Sequence, residues 1–147
     1  VLSFIEVVAM SGLTTETQRH RENEDQRDPR TSAIIGAAIE VHRHLGPGLL
    51  ESAYEECLCY ELHLCGLAFE RQVDLPVSYK GLKLDCGYRI DLIVRKEVVL
   101  ELKAIERIMP IHQAQLLTYM KLSGMSVGLL INFNAPLLTQ GIIRRVL

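Results

Sequence analysis

The chain has 147 residues, of which 48% are hydrophobic and 23% charged, and its formal net charge is −2. That length suits one domain, and folding at this size buries roughly two-thirds of the extended chain's surface. The charge balance excludes a protein that grips nucleic acid through bulk positive charge alone; such contact needs a local basic patch or a metal ion that offsets carboxylates.

Val1 to Met10 is apolar but too short to cross a membrane, and it carries neither a basic leader nor a cleavage site. A chain starting at Val1 suggests trimming or an upstream extension, with Met10 as a candidate start. Thr14 to Arg30 is polar and charged, and cannot bury enough surface to offset its ordering entropy. Residues 1–31 are therefore expected to form a mobile leader or an exposed extension, and residues 32–147 a single domain. No other apolar run approaches membrane-spanning length, so a soluble, cytoplasmic protein is expected.

Asp28-Pro29 opens the first helix, with Asp as cap and Pro in the first turn. Ile34, Ile35, Ala38, Ile39, His42 and Leu45 then recur at helical spacing. Gly46-Pro47-Gly48 breaks that helix. A second runs from about Leu50 to Leu64, with Gly66 as its C-terminal cap. The period then changes. Phe69, Arg71 and Val73 begin a strand, and Leu75 to Tyr79 continue extended structure to a hairpin turn at Lys80-Gly81. Leu82 to Val94 reads as one long strand bent at Gly87. After a polar turn at Arg95-Lys96-Glu97, Val98 to Ala104 forms another strand. A helix spans about Ile111 to Leu122, and Val127 to Phe133 is apolar throughout, as expected for a strand covered on both faces. Asn134 to Leu147 predicts only short elements. The order implies an α/β fold, a mixed sheet with helices packed against it.

Cys57, Cys59, Cys65 and Cys86 are read as reduced, mostly buried thiols. A zinc site from Cys57, Cys59, His63 and Cys65 is disfavoured, because only Cys59 and His63 share a helical face and no CxxC pair exists.

The chemistry centres on Asp91 and on Glu101-Leu102-Lys103. Side chains alternate along a strand, so Glu101 and Lys103 share a face. A hairpin symmetric about Lys96 sets Asp91 opposite Glu101, at roughly 4.5–5.5 Å between Cβ atoms. Two carboxylates that close repel each other unless a cation intervenes, and Mg²⁺ suits hard oxygen ligands. Such an ion polarises a phosphoryl oxygen, while Lys103 orients the attacking water or offsets developing charge. The plain alternative is a solvated surface pair. Against it stand the apolar neighbours Val98 to Leu100 and Ile90, Leu92 and Ile93, since charges embedded in core-like strands need a partner or a metal.

Further along, Gly48-Leu49-Leu50-Glu51-Ser52-Ala53-Tyr54 forms a GxxExxY motif. With Arg89-Ile90-Asp91, Glu101-Leu102-Lys103-Ala104, Gln113-Ala114-Gln115-Leu116-Leu117-Thr118-Tyr119 and Gly128 to Phe133, it resembles the GxxExxY family, a small group within the PD-(D/E)XK nuclease superfamily. The resemblance covers the chain from about Ser32 onward. It implies a restriction-endonuclease-like (PD-(D/E)XK) core, with Asp91 and Glu101 as metal ligands and Lys103 as the catalytic lysine. It also implies that Glu51 reaches the same metal, directly or through water, and that Gln115 and Tyr119 border the site and help place substrate. Residues four apart share a helical face, so the last two can point together. Each has a plainer reading. Glu51 suits a helix N-terminus, Gln115 and Tyr119 suit a packing face, and His112 suits a helix cap.

The function these features predict is Mg²⁺-dependent hydrolysis of phosphodiesters, with Mn²⁺ as substitute and DNA ahead of RNA as substrate. The alternative is a catalytically weak nuclease-fold module that binds nucleic acid or protein, its basic surface supplied by a partner protein or a second copy of the chain. Lys80, Lys83, Arg89, Arg95 and Lys96 cluster along the hairpins, and Arg89 is expected on the face of Asp91, either meeting phosphate or standing as a plain surface charge.

Overall fold

The structure, a computed structural model, describes residues 28–147. The apolar start, the candidate start at Met10 and the charged leader up to residue 27 lie outside the described residues. Helix α1 (Pro29–Leu45) begins where Asp28 accepts the Arg30 N–H at 2.9 Å and Pro29 occupies the first turn. It ends at Gly46, whose φ of 64° suits glycine. Helix α2 is Glu51–Leu64.

Seven strands follow: β1 (Phe69–Asp74), β2 (Val77–Tyr79), β3 (Leu82–Leu84), β4 (Arg89–Val94), β5 (Val98–Lys103), β6 (Val127–Asn132) and β7 (Ile142–Val146). Helix α3 (Pro110–Ser123) joins β5 to β6, and a short 3-10 turn, Leu138–Gly141, precedes β7. The main sheet has the order β1-β4-β5-β6-β7, parallel only between β5 and β6. A parallel pair needs a crossover, and α3 supplies it.

Two layers of side chains cover the sheet. On one face α1 and α2 pack through Ile34, Ala38, Tyr54 and Leu58 against Leu92, Leu100, Leu102, Leu129 and Ile131. On the other, Leu116 and Met120 of α3 meet Ile93, Val99 and Leu130. All six residues of β6 are buried, as its unbroken apolar run predicts. Each fully buried aliphatic side chain is worth about 1.5–3 kcal/mol, so this double burial holds the central strands rigid. Gly128 lets α3 approach: a Cβ there would stand 2.5 Å from the Met120 sulfur.

Two expectations are corrected. Leu82 to Val94 is not one strand. β2 and β3 pair with each other in a separate two-stranded sheet, turning at Lys80-Gly81 as expected, and Gly87 at φ 67° divides β3 from β4. The cause is the outer hairpin's lack of apolar cover, since every residue of β3 is exposed. The thiols are not mostly buried: Cys59 is buried and Cys57 half-buried, but Cys65 and Cys86 are exposed. The C-terminal segment does form only short elements, and one of them, β7, joins the sheet antiparallel to β6.

Candidate active site

The β4–β5 hairpin is symmetric about Lys96, with Val94 facing Val98 and Leu92 facing Leu100. Its turn holds Arg95 and Lys96 at φ 56° and 54°. Extending that register sets Asp91 opposite Glu101. On the other side of β4, Arg71 faces Leu92 and Val73 faces Ile90, which sets Gln72 opposite Asp91. Gln72, Asp91 and Glu101 thus form one row across three strands.

Backbone pairing fails at this row. The β1–β4 ladder skips it, and the β4–β5 ladder ends one residue before it. Side chains take over. The Asp91 N–H donates to Glu101 Oε1 at 3.2 Å, and the Leu102 N–H donates to Asp91 Oδ2 at 2.8 Å. Strict alternation breaks at the same place: Ile90 and Ile93, three apart, join the α3-side cluster, while Leu92 and Val94 join the other. The apolar sequence on either side of Asp91 therefore fills both cores and leaves the carboxylate at a local gap in the sheet.

Glu101 is 6% exposed. Burial pushes its carboxyl up to about 8, and the Asp91 charge adds to this; the Asp91 N–H and Lys103 oppose it without cancelling it. The Asp91 carboxyl is also raised, chiefly by burial, with the Leu102 N–H pulling the other way. At the first residue of α2, the Glu51 carboxyl is raised by burial and then by Asp91, against the pull of Lys103. Glu51 thus shares the electric field of the row although its helix covers the opposite layer. Lys103 ends β5, half-buried, beside Asn132 of β6.

The α3 residues divide. Tyr119 is half-buried against the α3-side cluster, and its phenol is raised by burial, then by the Glu101 and Asp91 charges. Gln115 is exposed one turn earlier. His112 caps the helix: its Nδ1 accepts the Met109 N–H at 2.8 Å, while burial and Lys103 lower its imidazole. Arg89 is exposed and pairs with Asp74 across the β1–β4 ladder at 3.2 Å.

Four residues emerge that sequence reasoning did not assign to the site. Glu55, one turn after Glu51, is held by Arg71 at 2.9 Å and by Gln72 at 2.7 Å. Gln72 stands opposite Asp91 in the β1–β4 register and helps to hold its carboxyl down against burial. The Asn132 side chain, buried under β6, accepts the Ile105 N–H at 3.1 Å and donates to the Ile105 carbonyl at 2.9 Å, fixing the chain just past Lys103. Tyr54 stacks on Phe133 with centroids 4.6 Å apart. Its hydroxyl donates to the Gly46 carbonyl and accepts the Leu49 N–H, at 2.5 and 3.1 Å. The glycine and tyrosine of the GxxExxY motif are thus architectural. Gly48 turns at φ 100° and donates its N–H to Asn134, and Tyr54 holds the same loop against Phe133, which fixes where Glu51 starts its helix. A polar residue inside an apolar block, such as Asn132 in Leu129 to Phe133, was the available signal for that clamp.

Among the described residues no group of three or more His, Cys, Asp or Glu side chains stands ready to enclose an ion. Mg²⁺ does not require one, since it retains waters and binds through one or two carboxylates. Asp91 and Glu101 are hard oxygen donors in adjoining positions. Burial above all, and then the Asp91 charge, disfavour the ionised Glu101, and Lys103 and the Asp91 N–H do not offset them. A divalent cation would favour the ionised form of both carboxylates, so the donor set fits one.

A family model described as the PD-(D/E)XK nuclease superfamily matches residues 28–146, from the α1 cap to the end of β7. Neither the curated proteins nor the solved structures give a match. Members of that superfamily generally hydrolyse phosphodiester bonds and typically use divalent metals. With the match spanning every described element, and a five-stranded mixed sheet between helical layers, the chain belongs to the PD-(D/E)XK nuclease superfamily.

Proposed function

We propose that the chain is a metal-dependent nuclease of the GxxExxY group, cleaving DNA in preference to RNA and using Mg²⁺, with Mn²⁺ as substitute. One observation carries the reading. Asp91 and Glu101 share a gap in an otherwise continuous sheet, each tied to the other's strand by a backbone N–H. Charged groups in a core-like sheet destabilise it unless they have a further task or partner.

In this reading Asp91 and Glu101 hold the ion, and Glu51 completes its shell directly or through water. The ion supplies Lewis acidity at the scissile phosphate. Lys103 orients the attacking water and offsets negative charge that develops on the phosphoryl oxygens. Tyr119 and Gln115, on one face of α3, border the substrate strand. The four free thiols suit a reducing, cytoplasmic compartment, and no helix among the described residues is long and apolar enough to cross a membrane.

Cleavage of single- and double-stranded DNA and RNA, assayed with Mg²⁺ and Mn²⁺, tests the reading against Glu101→Ala and Lys103→Ala. Each variant is expected to lose at least about 100-fold in rate, the usual scale for removing a charge-stabilising or proton-handling group. Unchanged activity in both would sink it. Tight nucleic-acid binding in EDTA without cleavage in Mg²⁺ would favour the binding module, for which the net charge of −2 calls for a partner's basic surface.

A further inference from the structure

Gln72 lies on an outer strand, is exposed, and has a backbone that L-residues rarely adopt. Its φ is 48°, in the left-handed region, where a side chain crowds the following carbonyl. Nothing in the local sequence asks for this. Gln72 is neither glycine nor asparagine, and its neighbours Arg71 and Val73 pair regularly with Leu92 and Ile90. A strained residue inside a regular ladder persists only when its surroundings hold it there.

What holds it is its side chain. The amide nitrogen donates to Glu55 Oε1 at 2.7 Å, which anchors it to α2. The residue opposite it on β4 is Asp91. One primary amide has two N–H donors and can serve two carboxylates at once. Glu55 is itself fixed by Arg71, so the amide's position is set from outside the row.

We propose that Gln72 is a positioning residue, which orients the Asp91 carboxylate by tying it across β1 to Glu55 of α2. The proposal rests on the reading of Asp91 as a metal ligand. A polar group behind a ligand fixes the ligand's orientation and raises metal affinity, typically by about 10- to 100-fold. The left-handed backbone is the strain that directs the amide inward instead of to solvent.

The two roles of Gln72 separate experimentally. Gln72→Gly removes both donors and also relieves the strain; Gln72→Met removes the donors and keeps the strain. Titration calorimetry with Mg²⁺ and Mn²⁺ is expected to show both variants binding at least about tenfold more weakly than the wild type. Thermal unfolding is expected to show Gln72→Gly melting no lower than Gln72→Met. Wild-type metal affinity in Gln72→Gly overturns the proposal, because a merely structural residue would move stability alone. If the wild type takes up no divalent ion that Asp91→Ala abolishes, the nuclease reading fails, and the link is then read without metal. The effects of Gln72→Ala and Asp91→Ala on unfolding of the metal-free protein must then be non-additive. Additive effects overturn it.

Discussion

The N–H of Asp91 donates to the carboxylate of Glu101, its cross-strand partner, where an antiparallel ladder has a backbone carbonyl as acceptor. In return, the Asp91 carboxylate accepts the N–H of Leu102. Two strands are therefore joined by the very groups that the proposed divalent ion would contact. Backbone order and site geometry depend on the same atoms, so changes at the site register in folding stability even without a substrate.

The first consequence is a dependence of stability on pH. The Glu101 carboxyl sits near 8 in the fold, against an ordinary value of 4.5. Between those values the folded chain keeps a proton that the unfolded chain has lost. Stability must therefore fall as pH rises through that window and level off above about 8. The loss is on the order of a few kcal/mol. Urea unfolding of metal-free protein from pH 5 to 9 should show the decline, and Glu101→Gln should flatten it. Saturating Mg²⁺ should stabilise the protein more at pH 8 than at pH 5, since the ion competes with that proton.

Tyr54→Phe keeps the ring stacked on Phe133 and removes the hydroxyl that bridges Gly46 and Leu49. The expected cost is about 1–3 kcal/mol in urea unfolding, because one acceptor and one donor lose their partner. Cleavage should fall as well, since the loop that this hydroxyl holds sets where Glu51 begins α2.

Asn132→Ala empties a buried polar position and leaves both the N–H and the carbonyl of Ile105 without their partner. A loss of about 2–4 kcal/mol is expected, the sum of two such deletions. Hydrogen exchange should quicken first at Ile105, the segment directly after Lys103, before the central strands are affected.

At the far end of the fold, Asp28 caps α1 and pairs with Arg30 and Arg144. Its carboxyl is held well below the usual carboxylate range, chiefly by its hydrogen bonds to Arg30. A lowered carboxyl contributes stability that is present above its ordinary value near 4 and lost as pH falls below that. Asp28→Ala should cost about 1 kcal/mol at neutral pH. It should also soften acid unfolding below pH 4, leaving the Glu101 window unchanged.

Several of these features were legible in the sequence. Symmetry about Lys96 set Asp91 opposite Glu101 in the sequence reading, and the hairpin has that symmetry. The glycine breaks at Gly46 and Gly81 and the buried β6 followed from composition alone. The rest depended on tertiary contact. Nothing in Leu82 to Leu84 announces that these residues leave the main sheet, since a strand pattern is silent about which sheet it joins. No local pattern announces that Gln72 adopts a left-handed backbone, because the cause lies in Glu55 and Asp91, distant in sequence. β7 escapes a sequence reading because Ile142-Ile143-Arg144-Arg145 does not alternate cleanly.

The irregular row also bears on the open edges of the sheet. Among the described elements, the outer strands of the main sheet are β1 and β7, and a flat, unpaired edge is a template for sheet-to-sheet aggregation. β1 presents Glu70, Arg71, Gln72 and Asp74, with the left-handed residue in its midst; on β7, Arg144 and Arg145 are half-buried and tied to Asp28 and Gln113. A kink and a run of charge interrupt the repeating donors and acceptors that a second edge would need. The distortion at Gln72 thus guards the sheet against open-ended growth, and a variant that straightens β1 should be checked for aggregation as well as for activity.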